Sequence, residues 1–207
     1  MSLEAGASNL FPGLLPGFSD PVLDSQRVFR QILQAMTHPG RKISLTVDLQ
    51  APKPLQQATA AICLALLDFE TPLWTDVMES SEAVHWLRFH CGCPWTCSPS
   101  AATFALISSG NALPSLEHFS IGNDEYPEKS ATLIIQVKGF ASGKQWNLRG
   151  PGIESIGRLL VQGLSDDFWP FWKMNHSLFP LGVDVFLTSG RDVVALPRTT
   201  EIGEIGE

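Results

Sequence analysis

The chain has 207 residues, 44% of them hydrophobic and 17% charged, with a formal net charge of −7. This is an ordinary globular mix with ample material for a core, and an acidic chain that concentrates its basic residues nowhere offers no nucleic-acid surface. No apolar run reaches the roughly 18 residues a membrane-spanning helix needs, and the first residues lack the basic-then-apolar pattern of a signal peptide, so no membrane partner and a cytoplasmic location are expected. Four cysteines at this length do not make a secreted disulfide framework, and reduced thiols are expected. No Pro/Gly/Ser linker or charge run divides the chain. One domain is expected over 16–200, with a flexible or extended arm over 1–15 and a tail over 201–207.

In chain order, residues 8–19 are rich in Pro and Gly yet carry Leu10, Phe11, Leu14, Leu15 and Phe18, which suits a packed arm better than a disordered tail. Asp20 as N-cap and Pro21 at the first helical position predict a helix over 21–37, stopped by His38-Pro39-Gly40, with Val22, Phe29, Leu33 and Met36 on its apolar face. A short strand follows over 43–47. Pro52 and Pro54 then open a helix in which Leu55, Ala58, Ile62 and Leu66 share a face beside Cys63. Another strand is placed around Pro72-Leu73-Trp74, and Ser80 or Ser81 caps a helix through Val84, Leu87 and Arg88. A strand over 104–107 and one or two helical turns over 114–119 lead to the densest stretch of the chain.

There, residues 131–137 form an apolar, β-branched run suited to burial on both faces. With the glycines of 139–143 as a reversal and the alternation of 145–149, they predict a β-hairpin. After Gly150-Pro151-Gly152 a helix is expected from Ile153 through Ile156, Leu160 and Leu164, weakened by Gly163. Asp166 or Asp167 caps an aromatic helix whose Phe168, Trp169, Phe171 and Trp172 exceed what one core-facing stripe needs, so part of it is a candidate partner surface. A second hairpin, 183–188 with 193–196, turns at Ser189-Gly190. The class read from this order is α/β, a single domain with a mixed β-sheet and helices on both faces.

Cys91, Cys93 and Cys97, with His85 and His90 close by, form the sharpest cluster of soft ligands. Their C-x-C-x3-C spacing is neither the paired C-x2-C of structural zinc nor a ferredoxin run, and no second pair exists. Thiols at a helix-to-loop junction are the favoured reading, and no metal is expected. Gly150-Pro151-Gly152 ahead of a helix resembles a phosphate cradle, but Pro151 removes a donor and Glu154 adds a negative charge, which favours a structural turn. His38 and Arg41 close the first helix as cations, and Arg149 and Arg198 adjoin turns with guanidinium forks suited to a phosphate or phosphonate. His38, Arg41, Arg149, Gly150, Gly152 and Arg198 are the candidate anion contacts. No catalytic constellation is recognisable, so the residues alone name no reaction.

A series of motifs spanning about 16–200 resembles one family. Pro16-Gly17-Phe18, Asp20-Pro21-Val22 and Ala35-Met36-Thr37-His38-Pro39-Gly40 are similar to the N-terminal region of the H subunit of the bacterial carbon–phosphorus lyase system, PhnH. Trp86-Leu87-Arg88-Phe89-His90, Tyr126-Pro127-Glu128-Lys129-Ser130-Ala131-Thr132, Gly150-Pro151-Gly152-Ile153, Phe179-Pro180-Leu181-Gly182-Val183-Asp184 and Leu196-Pro197-Arg198-Thr199-Thr200 continue the resemblance in order. It implies a subunit of phosphonate breakdown, homodimeric by itself and complexed with the G, I and J subunits. It further implies a part in forming ribose 1-methylphosphonate 5-triphosphate from ATP and methylphosphonate. The implied fold is similar to pyridoxal-phosphate-dependent transferases without their cofactor site. No lysine sits in a Schiff-base setting, so no cofactor is expected. The resemblance transfers no catalytic residue. The alternatives are an autonomous nucleotide- or phosphonate-binding enzyme at the Gly150 turn, or a cysteine-ligated metal module.

Overall fold

The computed structural model describes residues 14–203. In chain order its elements are α1 (Pro21–Thr37), β1 (Ile43–Ser44), α2 (Gln57–Leu66), β2 (Leu73–Thr75), α3 (Glu82–Cys91), β3 (Phe104–Ile107), β4 (Thr132–Gln136), β5 (Gly139–Arg149), β6 (Gly157–Gln162), α4 (Phe168–Ser177), β7 (Asp184–Ser189), β8 (Asp192–Leu196) and β9 (Glu201–Gly203). A mixed sheet runs β1-β8-β7-β4-β3-β2, with β2, β3, β4 and β7 parallel and β8 and β1 antiparallel to their neighbours. A smaller antiparallel sheet runs β6-β5-β9.

Period-two alternation assigns each strand side chain of the large sheet to one of two cores. Leu106, Ile134 and Phe186 face α1, α2 and α3, whereas Ala105, Ile107, Leu133, Ile135, Val185 and Leu187 face the small sheet and α4. The result is three layers: three helices, the mixed sheet, then a small sheet with one helix. The α/β class and mixed sheet are as the sequence implied. The second face, however, is covered largely by β5, β6 and β9 rather than by helices alone.

Three expectations are corrected. Residues 131–137 and 145–149 do not pair. β4 already has a parallel neighbour on each edge, β3 and β7, so it has no free edge for a hairpin partner. Val137 N–H donates to Thr188 O (2.8 Å) and Lys138 N–H to Gln162 O (2.8 Å), so the chain leaves one sheet for the other within two residues. The glycines read as a reversal instead sit in β5, where the register shifts between Gly139 and Lys144. Gly143 is at φ +109°, and a Cβ there would lie 2.1 Å from Val161 O. The helix expected from Ile153 is a turn followed by β6, which pairs with β5 from Leu148↔Gly157 to Gly139↔Gln162. The alternation that buries Leu159 and Val161 outweighed the helical spacing of Ile156, Leu160 and Leu164.

α1 keeps its expected bounds, with Asp20 Oδ1 accepting from the Val22 and Leu23 amides at 3.1 and 3.0 Å. Its inward stripe is nevertheless Val28, Ile32 and Ala35. Of the predicted face only Met36 packs against the first core; the rest points outward, leaving Val22 77%, Phe29 48% and Leu33 52% exposed. Of the sequence regions read as loose ends, Leu14, Leu15 and Phe18 pack against the first core and Glu201–Gly203 form β9; residues 1–13 and 204–207 lie outside the described residues.

Candidate functional site

The residues singled out as anion contacts fall largely where three loops meet. The turn at Gly150 and Gly152 joins β5 to β6, and both glycines have positive φ, +132° and +82°. A Cβ on Gly152 would sit 2.3 Å from Thr37 O and 3.0 Å from Pro39 Cδ, and one on Gly150 would sit 2.8 Å from Thr199 O. These glycines are therefore needed for close backbone approach to the loops after α1 and β8. The helix that would have supplied a dipole behind the turn is absent, because β6 follows, so the phosphate-cradle reading of Gly150 and Gly152 loses its physical basis.

Arg198 is also not an open anion contact. Its guanidinium and its backbone N–H grip Asp184: N–H to Oδ1 at 2.8 Å, Nε to Oδ1 at 3.2 Å and Nη2 to Oδ2 at 2.5 Å. Nη1 donates to Pro127 O at 2.9 Å and Pro180 O at 3.4 Å, and Nη2 to Ser130 Oγ. A side chain 13% exposed that already spends its whole fork on the protein is a clamp. His38 is exposed, its Nδ1 3.1 Å from Gln34 O and Thr37 Oγ1, and Arg41 lies on the exposed loop toward β1.

Arg149 is differently placed. It is the last residue of β5, exposed, and lines an open cleft of ≈ 320 Å³ with Asn147, Lys173, His176, Glu201, Ile202 and Gly203. Lys173 and His176 come from α4, three residues apart and thus on one face. His176 Nδ1 donates to Arg198 O at 3.0 Å, because a carbonyl can only accept, which leaves Nε2 for other partners. Lys173, His176 and Glu201 were not read as site residues from the sequence. Their proximity to Arg149 depends on β5–β9 register and on how α4 packs, neither of which leaves a local signal.

The aromatic helix α4 does not present its rings as a partner surface. Phe168, Trp169 and Trp172 are buried in the second core, with Trp169 stacked on Trp146 at 4.0 Å and Trp172 on Phe168 at 5.7 Å, and only Phe171 is partly exposed. Two layers converge on this helix, which is why it needs more apolar area than one stripe. Trp172 Nε1–H donates to Thr200 O at 2.8 Å.

Cys91 and Cys93 lie near Cys63 rather than converging with Cys97, which is exposed. Burial pushes the Cys91 thiol up from 9.0 to about 12, with Cys93 adding to the rise, and burial also raises Cys63 and Cys93. Such thiols resist the deprotonation that metal binding and nucleophilic attack require. Among the described residues no cluster of three or more His, Cys, Asp or Glu side chains is arranged to hold a metal ion.

Comparison with known proteins matches residues 16–203 to the family "Bacterial phosphonate metabolism protein (PhnH)". The chain is 36% identical over 186 residues to the "Alpha-D-ribose 1-methylphosphonate 5-triphosphate synthase subunit PhnH" of Rhizobium meliloti (strain 1021), covering 89% of this chain and 93% of that protein. It is 32% identical over 178 residues to the "Putative C-P lyase subunit protein HtxG" of Stutzerimonas stutzeri, covering 86% of this chain and 85% of that one. The motifs that carry the resemblance contact one another in the structure. Trp86 Nε1 and His90 Nε2 both donate to Leu15 O (2.9 and 3.1 Å), tying helix α3 to the Pro16-Gly17-Phe18 strap. The Gly152 turn abuts Thr37 and Pro39, and Arg198 joins Pro127, Ser130, Pro180 and Asp184. With the match spanning nearly all of the sequence, this chain belongs to the PhnH family of bacterial phosphonate metabolism proteins.

Proposed function

We propose that the chain is an assembly subunit, non-catalytic by itself, of a carbon–phosphorus lyase complex that supports formation of ribose 1-methylphosphonate 5-triphosphate from ATP and methylphosphonate. The observation that carries this is that both relatives, matched over most of their length, are named as subunits of larger enzymes. The functional unit is the domain over 16–200, in the cytoplasm, as a homodimer that binds the G, I and J subunits. Its likeness to pyridoxal-phosphate-dependent transferases without the cofactor site belongs to the same reading. The motifs shared with the family support it, because the structure uses them to staple loops together and the turn at Gly150 leads into a strand.

The outward stripe of α1 supplies the docking surface in this proposal. Val22, Leu23, Phe29 and Leu33 are more than half exposed or nearly so, beside Arg27 and Arg30, and suit an apolar partner face with an acidic rim. The test is affinity purification of the tagged chain from phosphate-starved cells, followed by mass measurement of intact complexes. Recovery with G, I and J in fixed ratio, lost in Phe29→Asp and Leu33→Asp variants that still fold, is the expected result. Recovery of the wild type as a lone dimer overturns the proposal.

A further inference from the structure

On a different stripe of α4 from Lys173 and His176 lies a groove of ≈ 120 Å³, between the helix and the segment that begins at the turn Leu116–His118. Leu116, Phe119 and Ile121 form one wall and Phe171, Met174 and Leu178 the other, so the lining is almost wholly apolar. Met174 is 48% exposed, Leu178 39% and the adjoining Phe179 58%. Large apolar side chains gathered in the open around a concavity mark an interaction surface. The groove compares with cavities of about 150 Å³ that admit benzene, so it has room for one aromatic or branched aliphatic side chain.

Both walls are held from behind. Phe168, Trp169 and Trp172 fix α4 in the second core, where Leu116 and Phe119 are also buried, Phe119 edge-on to Trp74 at 5.5 Å. Gly182 N–H donates to Ile121 O at 2.9 Å. A groove formed in advance leaves little ordering for binding to supply. Its rim is acidic: Glu117 lines it, and the chain beyond Ile121 exposes Asp124, Glu125 and Glu128. None of these four carboxylates closes an ion pair among the described residues, and the one lysine of the stretch, Lys129, lies over the Tyr126 ring at 3.9 Å. The α1 stripe has the opposite rim, with Arg27 and Arg30. The large sheet separates α1 from α4, so one two-fold contact between copies does not seat both surfaces, and α1 of one copy in the groove of the next would continue head to tail without closing.

We propose that this groove docks an apolar anchor side chain flanked by lysine or arginine, carried by a partner subunit of different sequence on a surface distinct from the one that meets α1. Charge complementarity at the rim selects that partner, and the buried anchor supplies the affinity. The inference rests on the assembly reading and adds to it a second surface of opposite charge, so the chain bridges two faces of the assembly. Each contact raises the effective concentration at the other, and breaking either one releases the chain.

Met174→Asp places a charge in the apolar wall and Glu117→Lys reverses the rim, both at exposed positions. With each variant tagged and purified from phosphate-starved cells beside the wild type, the partner subunits recovered per chain should fall about tenfold or more, and by less in Glu117→Gln. An unchanged thermal unfolding midpoint shows that a variant folds, and if Met174→Asp does not, Glu117→Lys decides alone. Undiminished recovery in Glu117→Lys overturns the proposal. Full recovery of partner subunits with weakened self-association assigns the groove to a second copy and overturns it as well. Wild-type chain recovered without partners refutes the assembly reading itself, whereas partners retained by wild type and variants alike refute only the groove.

Discussion

Arg198 was read from the sequence as an arginine beside a turn, and the structure shows why its position outweighs its chemistry. With Asp184 it forms a pair whose side chains are only 13% and 18% exposed, and its other donors reach two backbone carbonyls and Ser130. Removing one partner leaves a charge shut away from water, so Asp184→Asn should lower unfolding free energy by about 3 kcal/mol in urea titration, with a larger loss for Arg198→Ala. Arg149 shows the reverse case, where an equally bland sequence context leaves the fork open to the cleft. The four thiols divide in the same way. Cys97 is exposed and should react first with a thiol reagent, half-buried Cys91 more slowly, and buried Cys63 and Cys93 only on unfolding; fast modification of Cys63 or Cys93 in the native protein would contradict their burial. Because burial raises the Cys91 thiol from 9.0 to about 12, its neutral form supports the fold below the unfolded-state value, and that contribution is lost as pH rises toward 12. Stability should therefore fall between about pH 9 and 12, and Cys91→Ala should flatten the decline.

At the scale of elements, the same apolar letters served different geometries. The stretch after Gly152 satisfies a helical spacing and a strand alternation at once, and local pattern does not arbitrate between them. β5 offered an unpaired edge, so the second pattern won. In α1 two apolar stripes lie side by side, and the stripe with the smaller residues, Val28, Ile32 and Ala35, allows the close packing on α2 and β8 that the core requires. Two predictions belong here. Trp172→Ala should cost about 3–5 kcal/mol, whereas Phe29→Ala on the outward stripe should change stability by less than about 0.5 kcal/mol. Gly152→Val should destabilise strongly, because its Cβ would meet Thr37 O at 2.3 Å and its backbone needs φ +82°, and the loss should appear in thermal unfolding without any ligand present.

For the whole molecule, the three layers explain how a family signature can be dense and yet name no catalytic residue. The motifs lie at loops or on the helices those loops pack against, where glycines, an arginine fork and tryptophan and histidine donors hold the connections. One end of the third layer holds the cleft lined by Arg149, Lys173, His176 and Glu201, while the opposite side of the large sheet carries α1 with its outward apolar stripe. No helix among the described residues is long and apolar enough to cross a membrane. Leu33→Asp, at a 52% exposed position, should leave the thermal unfolding midpoint nearly unchanged while abolishing partner recovery.

The sequence by itself determined the family, the α/β class, the bounds of α1 and β3, the cap at Asp20 and the hairpin of β7 and β8. Each of these rests on contacts within a few residues or on turn chemistry that local letters encode. Only the tertiary structure decided that β4 has no free edge, that β6 is a strand, that the α4 rings are core, and that Arg198 is occupied while Arg149 is open. Those outcomes depend on strand register and on what covers each face, which are long-range properties that no window of neighbouring residues contains.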